Sequence, residues 1–200
     1  MARPWLSAIT SALVPNPAPE AVPLLAAAPA LAERAAQVAM DPCWAVLVGL
    51  DAPVDQDFTI ARPEDGPLAW VARNSSKPAR RGDEAWVLHA RHDWSVAHLE
   101  EAPEDIARRL LGALAARLER SSLPVAHLSA HRWRHALASQ PIGEPCLFDR
   151  ALGIGACGDW CLGGRVEAAF LSGRALAGRL LGADGLVGQE DAWGPLAPSA

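Results

Sequence analysis

The stretch that most constrains this chain is GIGACGDWCLGGRVEAAFLSGRALAGRLL, residues 153 to 181. An apolar, glycine-containing strand runs into Gly158-Asp159, a loop follows through Gly163-Gly164, and a helix-forming run comes next. Val166, Ala169, Phe170, Gly173, Ala177 and Leu180 recur at helical spacing and predict a helix over 165–181. Gly173 and Gly178 each cost about 1 kcal/mol against Ala in a helix interior, which predicts a close neighbour on that side. Gly153, Gly155 and Gly158 also spell G-x-G-x-x-G. A dinucleotide-binding turn needs its helix to start at once and an acid roughly 20 positions on. Here six residues from Asp159 to Gly164 intervene, and the acid at that distance is Asp184, with no strand to present it. The glycines therefore do not make that turn.

The same residues suit another arrangement, in which a strand ends in Gly-Asp and a helix N-terminus points back toward the aspartate. One carboxylate and several free amides are then presented together, able to hold sugar or ribityl hydroxyls, a phosphate, or an electron-rich ring edge. Asp159 capping its own turn, with the glycines merely making room, fits equally well.

Composition narrows the classes. A chain of 200 residues, half of them hydrophobic, can bury an ordinary core. A net charge of -5 with mixed signs argues against nucleic acid or an anionic membrane as main partner. Lys77 is the single lysine among 18 basic residues, a bias that carries no functional reading. Eight Trp with no Tyr supply large flat side chains suited to a core or to a planar ligand. Cys43, Cys146, Cys157 and Cys161 are too sparse for a disulfide framework, so a reducing cytoplasm and a soluble protein are expected. The first residues are a weak match to a signal peptide, and no run reaches the length of a membrane span.

Along the chain, 13–23 reads as a proline-rich connector and 23–40 as helix, with Pro29 threatening a kink. The run CWAVLVGL (43–50) is a buried strand by its unbroken apolar character. Strands over 68–76 and 84–91, joined by KPARRGD, predict an antiparallel pair. The firmest helix is 102–120, with Pro103 at its start, acids in the first turn, arginines in the last, and a stripe of Ile106, Leu110, Leu114 and Leu118. Residues 125–138 fit strand or helix, and a short strand is expected at CLFD. The tail from 183 reads as irregular.

Rival chemistries are thinly supported. Cys157 and Cys161 with His131 and His135 would make a Cys2His2 zinc set, but the spacing is loose. HRWRH is one basic aromatic stretch in an acidic protein. No G-x-S-x-G occurs, and Ser172 falls mid-helix, so serine hydrolase chemistry has no footing.

HRWRHALASQPIG (131–143) followed by 153–181 resembles the carboxyl-terminal part of renalase-like flavoproteins, within the FAD-dependent amine oxidases. Further matches are PAPEAVPLL (17–25), DPCWAVLVGLDAP (41–53), LAWVARNSSKP (68–78) and EAWVLHARHDWS (84–95). The resemblance covers roughly 15–182. It implies an α+β chain: an antiparallel-sheet substrate domain with flanking helices, plus the last strand and helix of a FAD-binding domain. The expected division is 1–20 irregular, 21–145 substrate domain, 146–182 closing segment of the FAD domain, and 183–200 tail.

It further implies a cofactor site of Gly158, Asp159, Trp160, Arg165, Val166 and Glu167. Asp159 is expected at the ribityl or pyrophosphate region, and the amides of 165–167 at the flavin pyrimidine edge. Trp70, His89, Arg132 and Trp133 are candidates for the substrate side; as isolated residues they fit a core equally well. The implied activity is oxidation of a reduced nicotinamide-like compound or an amine, with oxygen as acceptor. The family begins with a G-x-G-x-x-G unit, and this chain has none before residue 153. A truncated product, a complementing FAD-domain polypeptide, or a fold that persists as a non-catalytic, protein-binding remnant are the expectations that follow. A zinc-binding module is the third reading.

Overall fold

The structure, a computed structural model, describes residues 12–80 and 82–182. The signal-peptide reading of the first residues, Asp184 and the tail 183–200 lie outside the described residues. In chain order the elements are β1 (Ala12–Val14), α1 (Ala18–Leu24), α2 (Pro29–Ala36), β2 (Ala39–Leu50), β3 (Ile60–Ala61), β4 (Leu68–Arg73) and β5 (Glu84–Ala90). There follow α3 (His92–Ala97), α4 (Pro103–Arg117), β6 (Val125–Gln140), β7 (Leu147–Asp149), β8 (Ile154–Ala156), α5 (Asp159–Leu162) and α6 (Val166–Leu180). The fold is a mixed one with antiparallel strands and flanking helices, as expected. It divides into two compact units, residues 41–136 and the remainder, with the divisions at 40/41 and 136/137.

The unit of 41–136 is built on a five-stranded sheet of order β3-β4-β5-β2-β6. β2 pairs antiparallel with β5 from Ala45↔His89 to Leu50↔Glu84, and β5 with β4 through Val71↔Leu88. The expected antiparallel pair of 68–76 and 84–91 is thus present. Successive side chains point to opposite faces of a strand. Trp44, Val46, Val48, Leu50, Trp86 and Leu88 accordingly share one buried face with Ile106, Leu110 and Leu114 of α4 and with Leu118 at its C-cap. Each such aliphatic side chain contributes about 1.5–3 kcal/mol by leaving water. Residues 125–138, ambiguous by pattern, are strand: Leu128 and Ala130 pack toward that core while His127 and His131 stay exposed, a period of two. The short helix α3 has no strong pattern in the sequence. Tertiary bonds anchor the segment around it, since Trp44 N donates to Ser95 Oγ (3.2 Å) and Trp44 Nε1 to the carbonyl of His98 (3.1 Å).

The other unit holds a three-stranded sheet in which β8 lies between β1, parallel to it, and β7, antiparallel. The single helix expected over 23–40 is two, α1 and α2. Pro29 lacks an N–H to donate and opens α2 at its first turn, where none is needed. The proline-rich connector likewise carries the end of β1 and the start of α1, with Pro17 at the α1 N-cap position. One side of the sheet, with Val14, Leu147 and Ala156, packs on Ala18, Ala21, Leu25 and Trp160. The other side, with Cys146, Phe148 and Cys157, packs on Ala175 and Leu176 of α6.

Helix α6 forms where it was expected but presents a different face. Ala168, Ser172, Ala175 and Leu176 are buried, whereas Val166 and Phe170 are 91% and 67% exposed. The run is apolar almost all round, so spacing alone does not choose its inner side. The close neighbour expected at Gly173 is absent, for a Cβ there meets open space within 4 Å. Gly178, the other glycine of the helix, is buried. A close approach also occurs at Gly155, where a Cβ would sit 3.0 Å from the Leu147 carbonyl oxygen and against Leu176. Gly173→Ala should therefore raise stability by about 0.5–1 kcal/mol, and Gly155→Ala should lower it by about 1–3 kcal/mol, read from urea unfolding midpoints.

Candidate functional site

The glycines around Asp159 have packing reasons. Beyond β8, Cys157 N continues the ladder to the carbonyl of Val14 (3.3 Å), and Gly158 is fully extended. A Cβ at Gly158 would lie 2.6 Å from Cδ1 of Trp160, so the indole fills the space a side chain would need. That indole is buried and donates from Nε1 to the carbonyl of Asn16 (2.9 Å). Trp160, expected at the cofactor, is committed to the interior.

From there the chain makes one turn of helix, α5, closed by Gly163 N donating to the Asp159 carbonyl (2.6 Å). Gly163 sits at φ 132°, a conformation that favours glycine. Arg165 N then donates to the Gly163 carbonyl (2.7 Å), and α6 starts at Val166 with no side-chain cap. The first amides of a helix have no intrahelical acceptor. Those of Val166, Glu167 and Ala168 are so placed, while the amide of Arg165 is already engaged. The half-buried Asp159 takes no hydrogen-bond or ion-pair partner for its carboxylate among the described residues. One acceptor and several donors are thus held within a single strand-turn-helix segment.

Ser172 is the residue that sequence reasoning missed. It is fully buried on α6, and its hydroxyl accepts the Gly158 N–H at 3.0 Å. The hydroxyl also bonds the thiol of Cys161, whose pKa burial pushes up to about 11 against that bond. Its only signal was a hydroxyl among alanines on what proves to be the inner face. Burial likewise raises the thiols of Cys146 and Cys157. No group of three or more His, Cys, Asp or Glu able to hold a metal exists among the described residues, so Cys157, Cys161, His131 and His135 form no zinc set there.

In the unit of 41–136, Trp70 and His89 are cross-strand partners on the sheet face turned away from the core. The Arg62 guanidinium lies 5.1 Å from the Trp70 ring. Partial burial holds His89 below its ordinary pKa and so favours its neutral form. Trp133 is exposed and packs edge-on against His131 at 4.4 Å between centroids. Arg132 is one residue away and therefore on the opposite face. It lies over the Trp44 ring and donates to the carbonyl of Leu99 (2.6 Å) and to Glu100 (2.9 Å). Arg132 is thus separated from the other three and serves the packing of α3's flank. Arg134 makes a two-pronged pair with the same carboxylate, at 2.6 and 2.8 Å.

No protein-family profile matches the chain. Among solved structures the fold is similar to that of the "Putative protoporphyrinogen oxidase from Exiguobacterium sp. 255-15", with a TM-score of 0.65 at 16% identity over 86% of this chain. The chain spans 41% of that protein's length. Likeness at this identity shows the fold. No helix among the described residues is long and apolar enough to cross a membrane.

Two outcomes follow. Ser172→Ala leaves the part-buried Gly158 N–H without its partner and should cost about 1–3 kcal/mol in chemical denaturation. The hydrogen bonds of Arg134, and then the charges of Arg134 and Arg132, depress the Glu100 carboxyl. Their stabilisation is complete above the ordinary glutamate range and is lost as pH falls through the depressed folded value. Glu100→Gln should lower the melting temperature at pH 7 and leave it unchanged in strong acid, measured as melting temperature against pH.

Proposed function

We propose that this chain is the substrate-domain and closing part of a FAD-dependent oxidoreductase of the renalase and amine oxidase type. Its substrate would be a reduced nicotinamide-like compound or an amine. The observation that carries the reading is the Gly158 to Glu167 segment, with its unpartnered carboxylate and uncapped helix, on a fold similar to that of a protein described as an oxidase. These residues fit the cofactor: Asp159 would accept from ribityl or ribose hydroxyls, and the amides of Val166 and Glu167 would donate to the flavin pyrimidine edge. FAD would supply the hydride acceptor and the electron path to oxygen, with hydrogen peroxide as product.

What the chain adds is position and field. The amino end of α6 carries partial positive charge and would stabilise negative charge developing beside it. For the substrate the reading keeps Trp70 and Trp133 as flat walls and His89 as a hydrogen-bonding group. The exposed Val166 and Phe170 favour a second reading, in which a complementing FAD-domain polypeptide, or another protein, covers that face.

Titration of the purified chain with FAD tests this. Quenching of flavin fluorescence and a retained band near 450 nm are expected, with Asp159→Ala weakening affinity about ten- to a hundredfold. No quenching at saturating FAD would defeat the self-sufficient reading and leave the complemented or non-catalytic one.

A further inference from the structure

The antiparallel register of β7 and β8 pairs Leu147 with Ala156, Phe148 with Gly155 and Asp149 with Ile154. Carried one step outward, the same register sets Cys146 opposite Cys157. Alternation sends both side chains to the face shared with Phe148, and both pack on the small cluster formed with Ala175 and Leu176. The charge of Cys157 is among the influences that raise the Cys146 thiol, after burial. Directly opposed residues of antiparallel strands have Cα atoms about 4.5–5.5 Å apart, inside the roughly 4.4–6.8 Å that a disulfide spans. All four cysteines are free. Cys161 also feels the charges of Cys157 and Cys146 and bonds Ser172 of α6, but it packs with Trp160 and Leu147 and stands outside the β7–β8 register that opposes the other two.

We propose that Cys146 and Cys157 form a cross-strand dithiol that a hydroperoxide closes reversibly to a disulfide. Cys157 is half-buried and Cys146 buried, which assigns the first attack to Cys157. Its sulfur takes the near oxygen of hydrogen peroxide. The S–O bond forms, the O–O bond breaks, and the leaving hydroxide departs as water with the thiol proton. Cys146 sulfur then displaces the oxygen. The S–S bond forms, the S–O bond breaks, and a second water carries off the Cys146 proton. Two thiols give up two electrons and the peroxide accepts them. The bond would clamp the β7–β8 hairpin beneath α6, and the pair does not depend on flavin being bound.

The reduced full chain, treated with hydrogen peroxide, alkylated and digested without reductant, tests this by mass spectrometry. A peptide pair joined through Cys146 and Cys157, lighter by two hydrogens and reopened by dithiothreitol, is expected, with Cys43 and Cys161 alkylated. Cys161→Ser should keep the link and Cys146→Ser should abolish it. A Cys157 to Cys161 link, a link between chains, or four alkylated thiols after peroxide overturns the proposal. If a substituted chain does not fold, the map of the unsubstituted one decides alone.

Discussion

The close approach of α6 to β8 is the constraint on which the unit around Asp159 depends. Two features allow it. Gly155 has no Cβ to hold Leu176 away from the sheet, and Ser172 supplies the acceptor that the turning backbone needs at Gly158. A buried amide without a partner costs as much as a lost hydrogen bond, so strand, turn and helix are fixed as one body. The wedge of Trp160, tied to Asn16, completes it from below. Asp159 and the free amides of α6 inherit their positions from this packing.

Much of the framework was legible because the physics was local. The stripe of α4 and the run of β2 each state their burial in their own spacing. The pair β4 and β5 was readable from two apolar stretches around a proline-glycine turn. What escaped were features decided by distant partners: α3's surroundings held by Trp44, β6 whose period emerges only beside β2, and the inner side of α6. Gly173 misled because a helical glycine signals crowding only when a neighbour is there. Pro29 threatens a kink inside a longer helix, but its missing donor makes it a better beginning than a middle.

The candidate site was legible as a short segment and illegible as a geometry. Gly158, Asp159 and Val166 could be singled out from order and residue type, but the sequence could not say that Trp160 is spent on packing or that the Arg165 amide is engaged. Arg132 and Trp133, adjacent in sequence, face opposite sides of one strand; a candidate pocket drawn from neighbouring letters overlooks that parity. Of the substrate-side residues, Trp70 and His89 are joined by register, a relation invisible until the strands are paired.

The division of the chain has a kinetic consequence. Residues 41–136 form a continuous stretch, whereas the other unit joins residues from both flanks, as the Trp160 to Asn16 bond across 144 positions shows. Closing so long a loop is entropically costly, and slow, unless something shortens it first. The inserted stretch is that something: once folded it brings the two flanks nearer than a random chain would. During synthesis β1 would wait, unpaired, for a strand that emerges only after the whole insert has been made.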